Sequence, residues 1–197
     1  MIHHHIDLGS VLRGTVCELY SNLVTRPTGA AVRTEIERAI AEMGGRTVTV
    51  IDFSQVMLLD FSCADEIVAK LMLRACADAT LEAPSAEGYF LFLGLGDRHI
   101  DAVEQVLERH RLAIVAVLDG TPTLVGDVDD ASRAVWETLR GAGPSDARAL
   151  AHALGASERE VREALESLAR RRLVVHVGGV YAVIGAFDAP PAPEAAA

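Results

Sequence analysis

Apolar positions along this chain switch repeatedly between short β-like runs and helical spacing. Ile2 to Ile6 is apolar at both ends and stops at Asp7 and Gly9, the pattern of an edge strand. From Ser10 the residues Leu12, Val16, Leu19, Tyr20 and Leu23 recur at helical spacing until Arg26-Pro27 stops the pattern. Thr28 opens a second helix through about Met43, with Val32, Ile36, Ala39 and Ile40 inward and Gly44-Gly45 closing it. Thr47 to Phe53 is rich in β-branched residues and too short for a helix, so it predicts a strand buried on both faces. In the next helix Ser62 is the expected N-cap, with Asp65 as its capping-box partner and Ile67, Val68, Leu71, Met72 and Ala75 as the inner stripe. After a polar loop over 79–88 come a strand at Tyr89 to Leu93, a helix at Asp101 to His110 and a strand at Ala113 to Leu118. Strands alternating with helices predict an α/β fold with a mainly parallel, helix-covered sheet.

Asp119 to Asp130 changes composition, with Gly120, Pro122, Gly126 and four aspartates, and marks the expected boundary between an α/β domain over 1–126 and a second domain over 127–187. Beyond it the pattern is three helices and a hairpin. The first helix runs from about Ala131 to Arg140 with Val135, Trp136 and Leu139 inward, and the second from Ser145-Asp146 to Leu154. A Ser157/Glu160 capping box opens the third, and Gly178-Gly179 joins two short valine-rich strands. Residues 188–197 are rich in Pro and Ala and are expected to form a disordered tail.

Charge divides the chain at the same place. Residues 1–130 carry ten Lys and Arg against twenty Asp and Glu, whereas 131–197 carry eight of each, so the whole deficit of −10 lies in the first part. That part repels a polyanion, and any nucleic-acid contact has to come from the C-terminal third. No apolar run approaches the ~18 residues of a membrane span and no secretory signal opens the chain, so a cytoplasmic protein without membrane contact is expected. Cys17, Cys63 and Cys76 cannot all pair and lack C-x-x-C spacing, which suits reduced core thiols.

The stretch Ile51-Asp52-Phe53 through Leu59-Asp60-Phe61-Ser62-Cys63-Ala64-Asp65-Glu66 holds two aspartates eight residues apart, the first ending a buried strand and the second opening a helix. It resembles the STAS domains of bacterial anti-sigma-factor antagonists, whose pattern ends in Asp-Ser-Ser-Gly. With Tyr89 to Leu95, Arg98, Val103 and Val106, the resemblance covers roughly residues 46 to 118. In that family the phosphorylated residue follows the second Asp, and here the position is Phe61, which has no hydroxyl. Ser62 matches the second Ser and Cys63 replaces the Gly. A phosphate on Ser62 would gain from the helix dipole but meet Asp60, Asp65 and Glu66. The resemblance therefore implies a partner-binding or switch surface at Asp60, Ser62, Asp65 and Glu66. A plain N-cap followed by two solvated first-turn carboxylates is the competing reading.

Other chemistries find less support in the residues. Gly94-Leu95-Gly96 follows a strand but lacks the third glycine of a dinucleotide loop, and the one lysine, Lys70, lies inside a helix. No motif frames Cys63 as a nucleophile. His3 and His5 share a strand face, but sequence places no further ligand beside them. Neither catalysis, a cofactor nor a metal is expected.

Val135 to Val183, including Leu150-Ala151-His152-Ala153-Leu154-Gly155-Ala156-Ser157 as helix, turn and cap, resembles winged helix-turn-helix domains. That resemblance implies a groove-reading third helix with Arg159 and Arg162 outward and Arg170, Arg171 and Arg172 near a phosphate backbone. Glu158, Glu160, Glu163 and Glu166 oppose it, and the wing tip carries no cation. The expected function is a non-catalytic regulatory protein in which a STAS-like module and a winged helix act by docking to a protein partner. The alternative is a transcriptional regulator that binds duplex DNA and uses its STAS-like part to sense or dimerise. An open N-terminal strand and the wing favour a homodimer.

Overall fold

The computed structural model describes residues 2–15, 22–43, 45–78 and 88–185. The fold is mixed α/β around a mostly parallel five-stranded sheet. Chain order is β1 (Ile2–Asp7), α1 (Leu8–Thr15), β2 (Asn22–Leu23), α2 (Arg26–Ala41), β3 (Thr47–Asp52), β4 (Leu58–Leu59), and α3 (Phe61–Ala64). A π-helical turn (Asp65–Ala69) and α4 (Lys70–Asp78) continue α3. Then come β5 (Gly88–Leu93), α5 (Asp97–His110), β6 (Ala113–Leu118), β7 (Thr121–Gly126), α6 (Asp130–Ala142), α7 (Ala147–Leu154), α8 (Glu158–Arg170), β8 (Val174–Val177) and β9 (Val180–Val183).

The sheet order is β1-β3-β5-β6-β7, parallel except for β7, which pairs antiparallel with β6. Each crossover moves in the same direction along the sheet, and right-handed crossovers that never reverse place all their helices on one face. The first core forms there: Ile6, Ile51, Phe90, Phe92, Ile114 and Ala116 from the strands meet α1 to α5 and the π turn. Strand alternation turns Val48, Tyr89, Leu91, Ala113, Val115 and Leu124 to the opposite face, which no crossover helix covers. Helices α6 to α8 and the β8–β9 hairpin cover it instead, and Trp136, fully buried, donates its indole N–H to the Leu173 carbonyl at 3.2 Å. The expected division near residue 126 falls at the end of β7, and residues from both sides of it share this second core.

Several local expectations need correction. Pro27 does not end a helix: Thr25 is the N-cap of α2, and proline occupies its first turn, where a missing N–H costs nothing. The helix expected from Ser10 begins at Leu8, and its positions Val16, Leu19 and Tyr20 lie outside the described residues, as do residues 79–87 of the polar loop and the tail. Asn22–Leu23 is instead a short strand paired in parallel with Leu58–Leu59. The boundary segment read from Gly120, Pro122 and Gly126 contains β7. Asp119 (φ 49°) and Gly120 (φ 75°) make the two-residue turn of a β6–β7 hairpin, and proline is tolerated because β7 is an edge strand. The C-terminal elements match their expected spans closely, including the Ser157/Glu160 capping box and the Gly178-Gly179 turn. Ser145 adds a backbone bridge to Tyr181, tying β9 to the segment before α7.

Candidate docking site

The Asp60 turn is positioned by β4, whose partner β2 also accepts the Asp60 N–H at the Leu23 carbonyl, 2.8 Å away. Asp60, not Ser62, is the N-cap: its Oδ1 accepts from the Cys63 N–H at 2.9 Å. Ser62 stands inside α3 and donates its hydroxyl back to the same carboxylate at 2.9 Å. The choice is physical, since an aspartate one residue outside the helix satisfies a free N–H that a serine within it cannot reach. Both residues are half-buried, with Phe61 beside them under the Arg109 guanidinium at 5.7 Å.

Asp65 and Glu66 do not form the solvated acidic surface expected of them. They are 9% and 3% exposed and lie in the π turn. That wider turn brings consecutive side chains nearer in angle than an α-helix does, and both carboxylates point into one cluster. Arg26 Nη1 bridges them at 2.8 Å to Asp65 and 2.8 Å to Glu66. His110 Nε2 lies 2.7 Å from Asp65, Lys70 Nζ 2.5 Å from Glu66, and Arg33 Nε 3.5 Å from the second Glu66 oxygen. Arg33 also holds Glu37, which reaches Arg74. Gly29 permits this approach of α2: a Cβ there would lie 3.0 Å from the Cys63 Cα and 3.1 Å from the Glu66 Cβ.

Burial works to raise the Asp65 pKa, but hydrogen bonds from Arg26 and His110 outweigh it and hold the carboxyl below its ordinary value. Glu66 behaves alike, with Lys70 and Arg26 overcoming the burial. Two carboxylates that a partner was expected to meet are therefore spent inside the molecule. What faces outward is their cationic surround, with Arg26 and Lys70 nearly half exposed. Cys63 donates to the Thr25 carbonyl at 3.0 Å, and burial together with Asp60 pushes its thiol up to about 11, so it carries no thiolate near neutral pH.

Sequence reasoning missed Arg26, Arg33, Lys70 and His110 as one cluster. A signal was present: Asp65 and Glu66 interrupt a run, Cys63 to Ala69, that is otherwise wholly apolar, and acids flanked by core residues on both sides cannot both be solvated. The i,i+4 spacings of Glu66 with Lys70 and Arg33 with Glu37 were also legible.

The five arginines proposed for DNA are scattered. Arg159 is held by Glu163 at 3.2 Å and Arg162 by Glu158, each one turn away on α8. Arg171 donates to the carbonyls of Arg111 and Asp127. Arg172, expected on the surface, is 5% exposed: it lies over the Tyr89 ring at 5.2 Å and donates to the Ala75 carbonyl in the last turn of α4 at 3.4 Å. Its unusual φ of 58° turns the side chain inward where the chain leaves α8. Only Arg170 of the five keeps an exposed side chain outside any ion pair or hydrogen bond seen among the described residues.

A groove of about 730 Å³ lies apart from the Asp60 turn, between α5 and β7, walled by Glu104, Glu108, Arg111, Asp127 and Arg133. Among the described residues no cluster of three or more His, Cys, Asp or Glu side chains could hold a metal ion, and no helix is long and apolar enough to cross a membrane. No protein-family model matches the chain, and no curated protein matches it either.

Proposed function

We propose that the chain is a non-catalytic bacterial regulatory protein of the cytoplasm, in which a STAS-like module acts with a winged helix through docking to a protein partner. The observation that carries this reading is the Asp60 turn. A capping carboxylate, a serine hydroxyl and an aromatic ring are set at the surface on a base cross-braced by α2, α4 and α5. Such a base loses little conformational entropy on binding. Asp65 and Glu66 serve there as positioning residues that hold Arg26 and Lys70, while the half-buried Asp60 and Ser62 are the groups offered to the partner.

The internally paired arginines of α8 and the buried Arg172 favour a protein partner over duplex DNA, since binding DNA would first require breaking ion pairs with glutamates that repel phosphate. Cross-linking in the source cells, comparing the wild-type chain with Asp60→Lys, tests the reading. At least one protein should cross-link near α3 and be lost in the variant. Identical cross-linked sets, or submicromolar binding of the pure protein to duplex DNA that falls steeply with salt and vanishes in Arg170→Ala, would overturn it.

A further inference from the structure

The two edges of the central sheet are treated differently. At β7, Pro122 offers no N–H, and Arg133 donates to the outward carbonyls of Leu124 at 3.0 Å and Gly126 at 3.4 Å, so this edge is closed to a further strand. At the other edge β1 runs for six residues without proline, lysine or arginine, and among the described residues no strand lies outside it. An edge of this length that no described element covers is a template for another strand.

The sequence of β1 indicates which strand. Ile2-His3-His4-His5-Ile6 reads the same in both directions about His4. When two copies pair antiparallel about a two-fold axis through His4, His3 of one meets His5 of the other and Ile2 meets Ile6, so each residue type meets its own kind. The five residues carry no formal charge of their own, and the Asp52 carboxylate beside them is held by His5 at 3.0 Å. Asp7 lies past the pairing and is already occupied, accepting from the Gly9 N–H at 2.9 Å and the Ser10 hydroxyl at 2.7 Å. We propose that a second copy of this chain adds to β1 in the antiparallel register centred on His4, joining two five-stranded sheets into one continuous sheet. The proposal does not depend on the regulatory reading.

Sedimentation equilibrium and native mass spectrometry of the full chain, in EDTA so that no metal bridges the histidines, should give twice the 21.0 kDa of one chain. His3→Lys/His5→Lys sets lysines against each other at both pairs, leaves a hydrogen-bond donor beside Asp52, and should weaken the dimer at least about tenfold. His3→Glu/His5→Lys sets opposite charges across the seam in this register alone and should restore it. A monomeric wild-type protein, a dimer indifferent to the lysines, or no recovery in the charge-swapped variant would overturn the proposal. If the lysine variant does not fold, hydrogen exchange of the wild type decides: protection of residues 2–7 that rises with protein concentration supports the pairing, and concentration-independent protection refutes it.

Discussion

The Asp65–Glu66 turn and the outer face of α8 use the same side chains to opposite ends. Both mix carboxylates with arginines at short range. On α8 the partners sit one helical turn apart in water, where such a pair contributes only about 0.3–0.5 kcal/mol. In the turn only Lys70 is one helical turn away; Arg26 and Arg33 of α2 and His110 of α5 are far apart from the acids in sequence, and Glu66 is nearly inaccessible. A buried pair adds little over an apolar substitute, yet removing one member leaves the others uncompensated. A charge motif on one helix therefore says little about energy until the neighbouring elements are known.

The largest effect that would test this contrast is Glu66→Ala. It strips Lys70 of its carboxylate, leaves Arg26 with Asp65 alone and Arg33 with Glu37 alone, and should cost about 2–3 kcal/mol in urea unfolding; a loss below about 1 kcal/mol would place the cluster in the same class as α8. Acid should separate the two regions as well. Because Asp65 and Glu66 have lowered pKa values in the fold, their stabilisation is complete above the unfolded carboxylate values near ~4 and is lost as pH falls through the folded ones. Unfolding free energy should therefore drop below about pH 4, and Asp65→Asn should flatten that limb of the curve.

Arg172→Ala removes the buried link between the end of α8, α4 and Tyr89 and should cost about 2 kcal/mol, measured by thermal unfolding. Smallest of all, Glu158→Gln with Glu163→Gln should change stability by less than about 0.5 kcal/mol each. The same double variant frees Arg159 and Arg162, yet duplex binding should stay absent at physiological salt; fluorescence anisotropy would reveal a gain if α8 were a masked DNA surface.

Period and capping made most of the α/β alternation legible, along with α8 and the hairpin, because Ser157, Glu160 and Gly178-Gly179 act within a few residues of themselves. β7 was hidden because Asp119-Gly120 and Pro122 have the composition of a loop. Only its place at the sheet edge makes that composition compatible with a strand. Ser62 misled for a similar reason, being a good cap one residue too late, while Asp60 was fixed by Leu23, which is remote in sequence. The paired acids were visible as residues, but their burial depends on Gly29, Arg26 and His110 arriving from other helices.

A sheet whose crossovers all step one way has a consequence for biosynthesis. As the nascent chain emerges from the ribosome, strands and first-layer helices can assemble by about residue 126, but Val48, Tyr89, Leu91, Val115 and Leu124 are then bare to water. They stay so until Trp136, Leu165 and the hairpin have been translated. Messages truncated between these points should yield sticky, chaperone-bound fragments, not a smaller working protein.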